Sequence, residues 1–171
     1  MYRVGDIGFS TSKSSPFSAS IRAFTESNVS HVFIIVGILY GKFLVLEADG
    51  NRVDINFLDT YMTSDAYFEI YRLPNSPFRN LALERVVTRY ANKIYGRGQI
   101  VGFVLDRFLS LFGKGGKNLI DDGIVCSELG MYYTHLNGFR VLPEADPNLV
   151  SPAAFRKGVV DLGATFIWAK E

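Results

Sequence analysis

One thiol, two imidazoles and a carboxylate set in an apolar run are the side chains of this 171-residue chain best suited to covalent chemistry. The only cysteine, Cys126, opens the stretch Cys126-Ser127-Glu128-Leu129, after which apolar residues recur at helical spacing through Tyr132, Tyr133 and Leu136. Gly138 supplies a stop signal, and upstream Asp121-Asp122-Gly123 is loop chemistry. Cys126 is therefore predicted in the first turn of a helix, where unpaired N–H groups and the positive end of the helix dipole favour an anion. A thiolate is such an anion. On this stretch alone, a free cysteine buried as a small hydrophobe explains the residue equally well.

Cysteine catalysis needs an imidazole beside the sulfur and a polar group on the far ring nitrogen to fix its tautomer. Of the two histidines, His135 follows Cys126 by nine positions, about half a revolution at 100° per residue, so it belongs to the opposite face of the same helix. Its expected role is a surface or packing residue. His31 instead opens the apolar run Val32-Phe33-Ile34-Ile35-Val36, a strand buried on both faces. Phe43-Leu44-Val45-Leu46-Glu47-Ala48 returns beside it, with Gly37 and Gly41 bracketing the turn. A turn centred on Leu39 sets Gly37 opposite Gly41, Ile35 opposite Phe43, Phe33 opposite Val45 and His31 opposite Glu47. Directly opposed residues lie about 4.5–5.5 Å apart, so imidazole and carboxylate would meet across the ladder. A slip of one residue would break the arrangement. Glu47 between Leu46 and Ala48 is costly unless paired, which is what such a partnership supplies. The candidate catalytic residues are thus Cys126, His31 and Glu47.

The elements that must position them follow the same periodicities. Val4 to Phe9 reads as a short strand, and Ser15-Pro16 as the start of a helix with Phe17, Ile21 and Phe24 on one face. Asp49-Gly50-Asn51 turns into the alternating strand Arg52–Phe57 with one wet face, followed by a short helical piece over Phe57–Met62. Ala66–Leu73 is a further strand. Ser76-Pro77 opens a helix with Leu81, Leu83, Val86, Val87, Tyr90, Ala91 and Ile94 on its inner side, broken at Tyr95-Gly96-Arg97-Gly98. Ile100 to Phe112 continues as a Phe/Leu-rich helix, packed on the sheet or lining an acyl pocket. Val150–Phe155 carries a capped short helix, and Val159–Trp168 a last strand.

Composition bounds the classes. With 48% hydrophobic and 20% charged residues the chain is not a disordered one, and its length suits one domain over residues 1–171. A formal charge of +1 gives no basic stripe, so no nucleic-acid partner is expected. One cysteine makes no internal disulfide and no structural zinc site. No metal and no cofactor is expected. Gly113-Lys114-Gly115-Gly116-Lys117 lacks the Lys-Ser/Thr ending of a phosphate loop. No signal-peptide core and no run of 18 apolar residues is present, which points to a cytoplasmic protein without integral membrane association; virion association or non-classical release are the routes outside.

Gly5-Asp6-Ile7, Ser30-His31-Val32, Leu46-Glu47-Ala48 and Val125-Cys126-Ser127-Glu128-Leu129 together resemble the circularly permuted NlpC-like branch of the papain-like cysteine hydrolases. In that branch histidine precedes cysteine, and lecithin-retinol acyltransferase-like proteins form another part of it. The resemblance implies an α+β fold, an antiparallel sheet carrying His31 and Glu47 packed against helices, and the nucleophile at a helix N-terminus. It implies attack of the Cys126 thiolate on an amide or ester carbonyl and an acyl-enzyme, with His31 as proton donor to the leaving group and the Cys126 N–H in the oxyanion hole. Ser127, bonded locally, and Glu128 would be scaffold. The acyltransferase relatives usually place a second histidine where this chain has Glu47, a departure that argues against retinoid or phospholipid acyl transfer. The expected activity is that of a peptidase or amidase on small peptide-like substrates such as bacterial cell-wall stems. A thioesterase or acyl hydrolase is the second reading, and an idle binding or virion-structural module the third.

Overall fold

A computed structural model describes residues 1–11, 27–49, 52–63, 67–93 and 126–170. The predicted helices after Pro16 and over 100–112, the Tyr95–Gly98 break and the loop 114–123 lie outside these. The described residues form an α+β arrangement of six strands and four helices in the order β1 (Ile7–Thr11), β2 (His31–Leu39), β3 (Lys42–Asp49), β4 (Arg52–Phe57), α1 (Asp59–Thr63), β5 (Tyr67–Arg72), α2 (Arg79–Tyr90), α3 (Cys126–Leu136), α4 (Pro152–Asp161) and β6 (Thr165–Lys170), with a 3-10 turn at Pro147–Leu149 before α4. All strands join one antiparallel sheet, ordered β4-β3-β2-β1-β5-β6.

Alternation along β2 and β3 feeds two cores. Val32, Ile34, Leu46 and Ala48 join Ile7 and Phe9 under α2, α3 and α4, whose Ala82, Val86, Leu129, Tyr133, Phe155 and Val159 close the larger cluster. Phe33, Ile35 and Val45 project the other way and pack with Leu58, Phe68 and Ile70. Burying both faces is why Val32–Ile35 of β2 are β-branched or aromatic without polar alternation.

The hairpin between β2 and β3 differs from the expected one. Its turn is Tyr40-Gly41, both at positive φ (50° and 77°), the geometry that suits a two-residue hairpin turn. Leu39 therefore pairs with Lys42 and Gly37 with Leu44, and a bulge at Val36 then shifts the ladder so that Ile35 pairs with Val45 and Phe33 with Glu47. The direct pairing of His31 with Glu47 is thus replaced by a diagonal one. Had the ladder continued unbroken from the turn, Ile34 would have stood opposite Glu47 and His31 would have lain on the other face. The extra residue of the bulge restores the parity. Gly5 and Asp6 hook the N-terminus onto this point: Gly5 N–H donates to Ile35 O at 2.7 Å and Ile35 N–H to Asp6 O at 2.9 Å.

Two further boundaries move. Helix α2 buries Ala82, Leu83, Val86 and Tyr90 and ends at Tyr90, leaving Leu81 exposed. Val159 and Val160 belong to α4, not to the last strand. Ser151 caps that helix by accepting Ala154 N–H at 3.1 Å, and Gly163 at φ 89° reverses the chain into β6.

Candidate functional site

The sulfur arrives on α3. Cys126 is the first residue of that helix and is almost wholly buried in the larger core. Tyr133 in the same helix donates its phenol to Gly5 O at 3.0 Å, and Gly130 lies so close under the Phe155 ring that no side chain fits between α3 and α4. Ser127 is buried and its hydroxyl donates to Val150 O, 23 residues away, rather than to a neighbour in its own turn. Gly138 at φ 86° ends the helix, with Phe139 N–H returning to Thr134 O.

The imidazole and the carboxylate come from β2 and β3, on which α3 packs. His31 Nε2 and Glu47 Oε2 are 2.8 Å apart, and the ring keeps 17% of its surface exposed. The Cys126 side chain lies beside the same ring and favours its charged form. With Nε2 engaged by Glu47, Nδ1 is the ring nitrogen left for the sulfur. Burial is the largest single influence on His31 and opposes its charged form. The interactions with Cys126 and Glu47, with the attraction of both groups, outweigh it and hold the imidazole pKa well above its ordinary 6.5. Glu47 shows the converse: burial pushes its pKa up most strongly, but the bond and charge of His31, then Tyr61 and Asn56, bring it below the ordinary 4.5.

Two residues that the pattern of the sequence did not single out complete the site. Asn56 Nδ2, from β4, donates to Glu47 Oε1 at 2.8 Å, and the Tyr61 phenol, from α1, donates to Glu47 Oε2. The Tyr61 ring stacks on Phe33 at 4.7 Å and lies 6.5 Å from the His31 ring at an interplanar angle of 16°. The available signal was the need of any buried carboxylate for donors, since Asn56 sits on the strand beside Glu47.

Of the expected residues, His31 and Glu47 are in direct contact, and Cys126 lies beside the His31 ring. His135 does not join them; it is exposed in the last turn of α3, beside Tyr132, Phe139 and Arg140. Asp6, Glu47 and Glu69 are all buried carboxylates, yet they are neutralised differently. Asp6 takes both nitrogens of Arg72 at 2.9 and 2.8 Å, and Glu69 is held by Arg156 and the phenols of Tyr67 and Tyr71. Glu47 alone among them is paired with histidine. An arginine fixes charge permanently, whereas an imidazole exchanges its proton near neutrality.

This fold has a solved counterpart. A crystal structure described as the metalloprotein yiiX from Escherichia coli O157:H7, DUF1105, matches with a TM-score of 0.66 over 98% of this chain and 97% of that chain, at 21% identity. That likeness establishes a shared fold. No protein-family model and no curated protein matches the chain. Among the described residues, no helix is long and apolar enough to cross a membrane.

Proposed function

We propose that the chain is a cysteine hydrolase of the permuted NlpC-like type, cleaving an amide bond of a small peptide-like substrate through Cys126, His31 and Glu47. The observation that carries this reading is the His31 ring, bonded to the buried Glu47 carboxylate at 2.8 Å and set beside the buried Cys126 thiol, which favours its charged form. A packing histidine needs one partner; an imidazole held between sulfur and carboxylate has the arrangement that activates a nucleophile. The Cys126 thiolate attacks the carbonyl carbon, forming the C–S bond. The charge that develops on oxygen is met by the Cys126 N–H, in the first turn of α3 where the helix dipole favours an anion. As the C–N bond breaks, His31 gives its proton to the departing amine. Water then attacks the thioester, His31 takes a proton from it, and the carboxylate product leaves with the thiolate restored.

The metal in the description of the yiiX structure does not suit the described residues of the His31–Glu47 site. Glu47 accepts from His31, Tyr61 and Asn56, and His31 Nε2 is committed to Glu47, so the donor atoms a metal would need are already bonded. Among the described residues no group of three His, Cys, Asp or Glu is placed to hold an ion.

Alkylation of Cys126 by iodoacetamide between pH 5 and 9 tests the reading. It should already be fast near pH 6 and slow in His31→Ala. A rate that follows an ordinary thiol pKa of about 8.5, unchanged by His31→Ala, would overturn the reading and favour an idle module. Amine release from muropeptides supports the peptide assignment; fatty-acid release from acyl esters replaces it with the acyl hydrolase.

A further inference from the structure

We propose that Tyr61 is a positioning residue of this site: its phenol, with the Asn56 amide, clamps the Glu47 carboxylate so that it serves His31 as an oriented anion. The inference rests on the hydrolase reading and extends it to a residue outside the triad.

Glu47 sits in an apolar strand, out of water, where a carboxylate left to one partner would tend to take up a proton. If it did so, the proton would come from His31, and the imidazolium needed by the thiolate would be lost. The site supplies donors on every side. His31 and Tyr61 share Oε2 from β2 and α1, while Asn56 holds Oε1 from β4. Charge-assisted bonds of this kind are roughly twice as strong as neutral ones.

Other charges around Glu47 are neutralised locally. Asp54 stands directly opposite on β4 but pairs with Arg52 at 2.7 Å, and Asp59 on α1 pairs with Lys42 of β3 at 2.9 Å. Cys126, from α3, lies beside the His31 ring. Tyr61 is itself held in place by apolar packing, stacked on Phe33 and edge-on to Phe68 at 6.0 Å. The phenol is thus a fixed donor: neither its ring nor the carboxylate has to be ordered when the thiolate forms. Tyr67 and Tyr71 at Glu69 accompany an arginine that already fixes the charge; at Glu47 no arginine among the described residues does that work.

The test uses the full chain and the pH profile of Cys126 alkylation by iodoacetamide. Tyr61→Phe keeps the ring and removes only the donor. Its acid limb should move to higher pH by about one unit, the scale of losing one charge-assisted hydrogen bond, and Asn56→Ala should move it less in the same direction. Replacing Tyr61 by 3-fluorotyrosine, a stronger donor, should shift the limb to lower pH. A Tyr61→Phe profile that overlays the wild type overturns the proposal; so does an unmoved fluorotyrosine profile, a measurement that stands even if Tyr61→Phe fails to fold. Both outcomes are told apart from failure of the hydrolase reading by the wild-type curve, which in that case shows an ordinary thiol from the outset.

Discussion

His31 and Glu47 are diagonal neighbours across the β2–β3 ladder: Phe33 occupies the position opposite Glu47, and the His31 ring reaches back along the strand to a 2.8 Å contact. Diagonal positions lie about 7–8 Å apart at the backbone, a span that an imidazole and a glutamate bridge together and shorter side chains do not.

Glu47→Gln removes the charge while keeping the shape. Glutamine cannot stabilise the imidazolium, so kcat should fall by on the order of 10²–10⁴-fold with little change in KM, as expected when an orienting acid is neutralised. Steady-state kinetics of the variant on the substrate identified for the wild type checks this.

Stability should depend on pH through the same pair. His31 has a raised folded pKa, so its contribution is complete below its unfolded value near 6.5 and disappears as pH rises through the folded value. Glu47 has a lowered folded pKa, so its contribution is present above about 4.5 and disappears as pH falls through the folded value. Between those limits the pair stabilises the fold most. Melting temperatures of wild type and Glu47→Gln should differ most between about pH 4.5 and 6.5 and converge as the pH falls below the folded pKa of Glu47 or rises above that of His31; a difference independent of pH would contradict the pairing.

Gly8 supports the site from a distance. The far end of the Phe33 ring lies over it, where a Cβ has no room, and Phe33 in turn stacks on Tyr61. Gly8→Ala should cost about 1–3 kcal/mol through overpacking and slow Cys126 alkylation by displacing Tyr61. Thermal melts and alkylation rates read the two effects separately.

Ser127→Ala removes the hydroxyl that serves Val150 O and leaves that buried carbonyl without this donor. A loss of about 1–3 kcal/mol is expected, with alkylation of Cys126 preserved, because the bond anchors α3 rather than touching the sulfur.

His135→Ala is the matching control. Exposed at the far end of α3, it should change stability by no more than about 0.5 kcal/mol and leave the alkylation profile where it was.

What the sequence alone determined is local. An apolar run of β-branched residues makes β2, helical spacing after Cys126 makes α3, and a carboxylate in an apolar strand demands a partner; each is legible because its periodicity or its desolvation cost resides in a few consecutive residues. The choice of His31 over His135 was legible for the same reason, from the rotation of one helix. The tertiary structure decided the rest. The hairpin register depends on where the chain turns and whether a strand bulges, and Tyr40-Gly41 with the bulge at Val36 moved every pairing while keeping His31 and Glu47 on one face. Tyr61, Asn56 and the Ser127 bond to Val150 depend on which segments packing brings together, and a hydrogen bond between residues far apart in the chain leaves no periodicity to read.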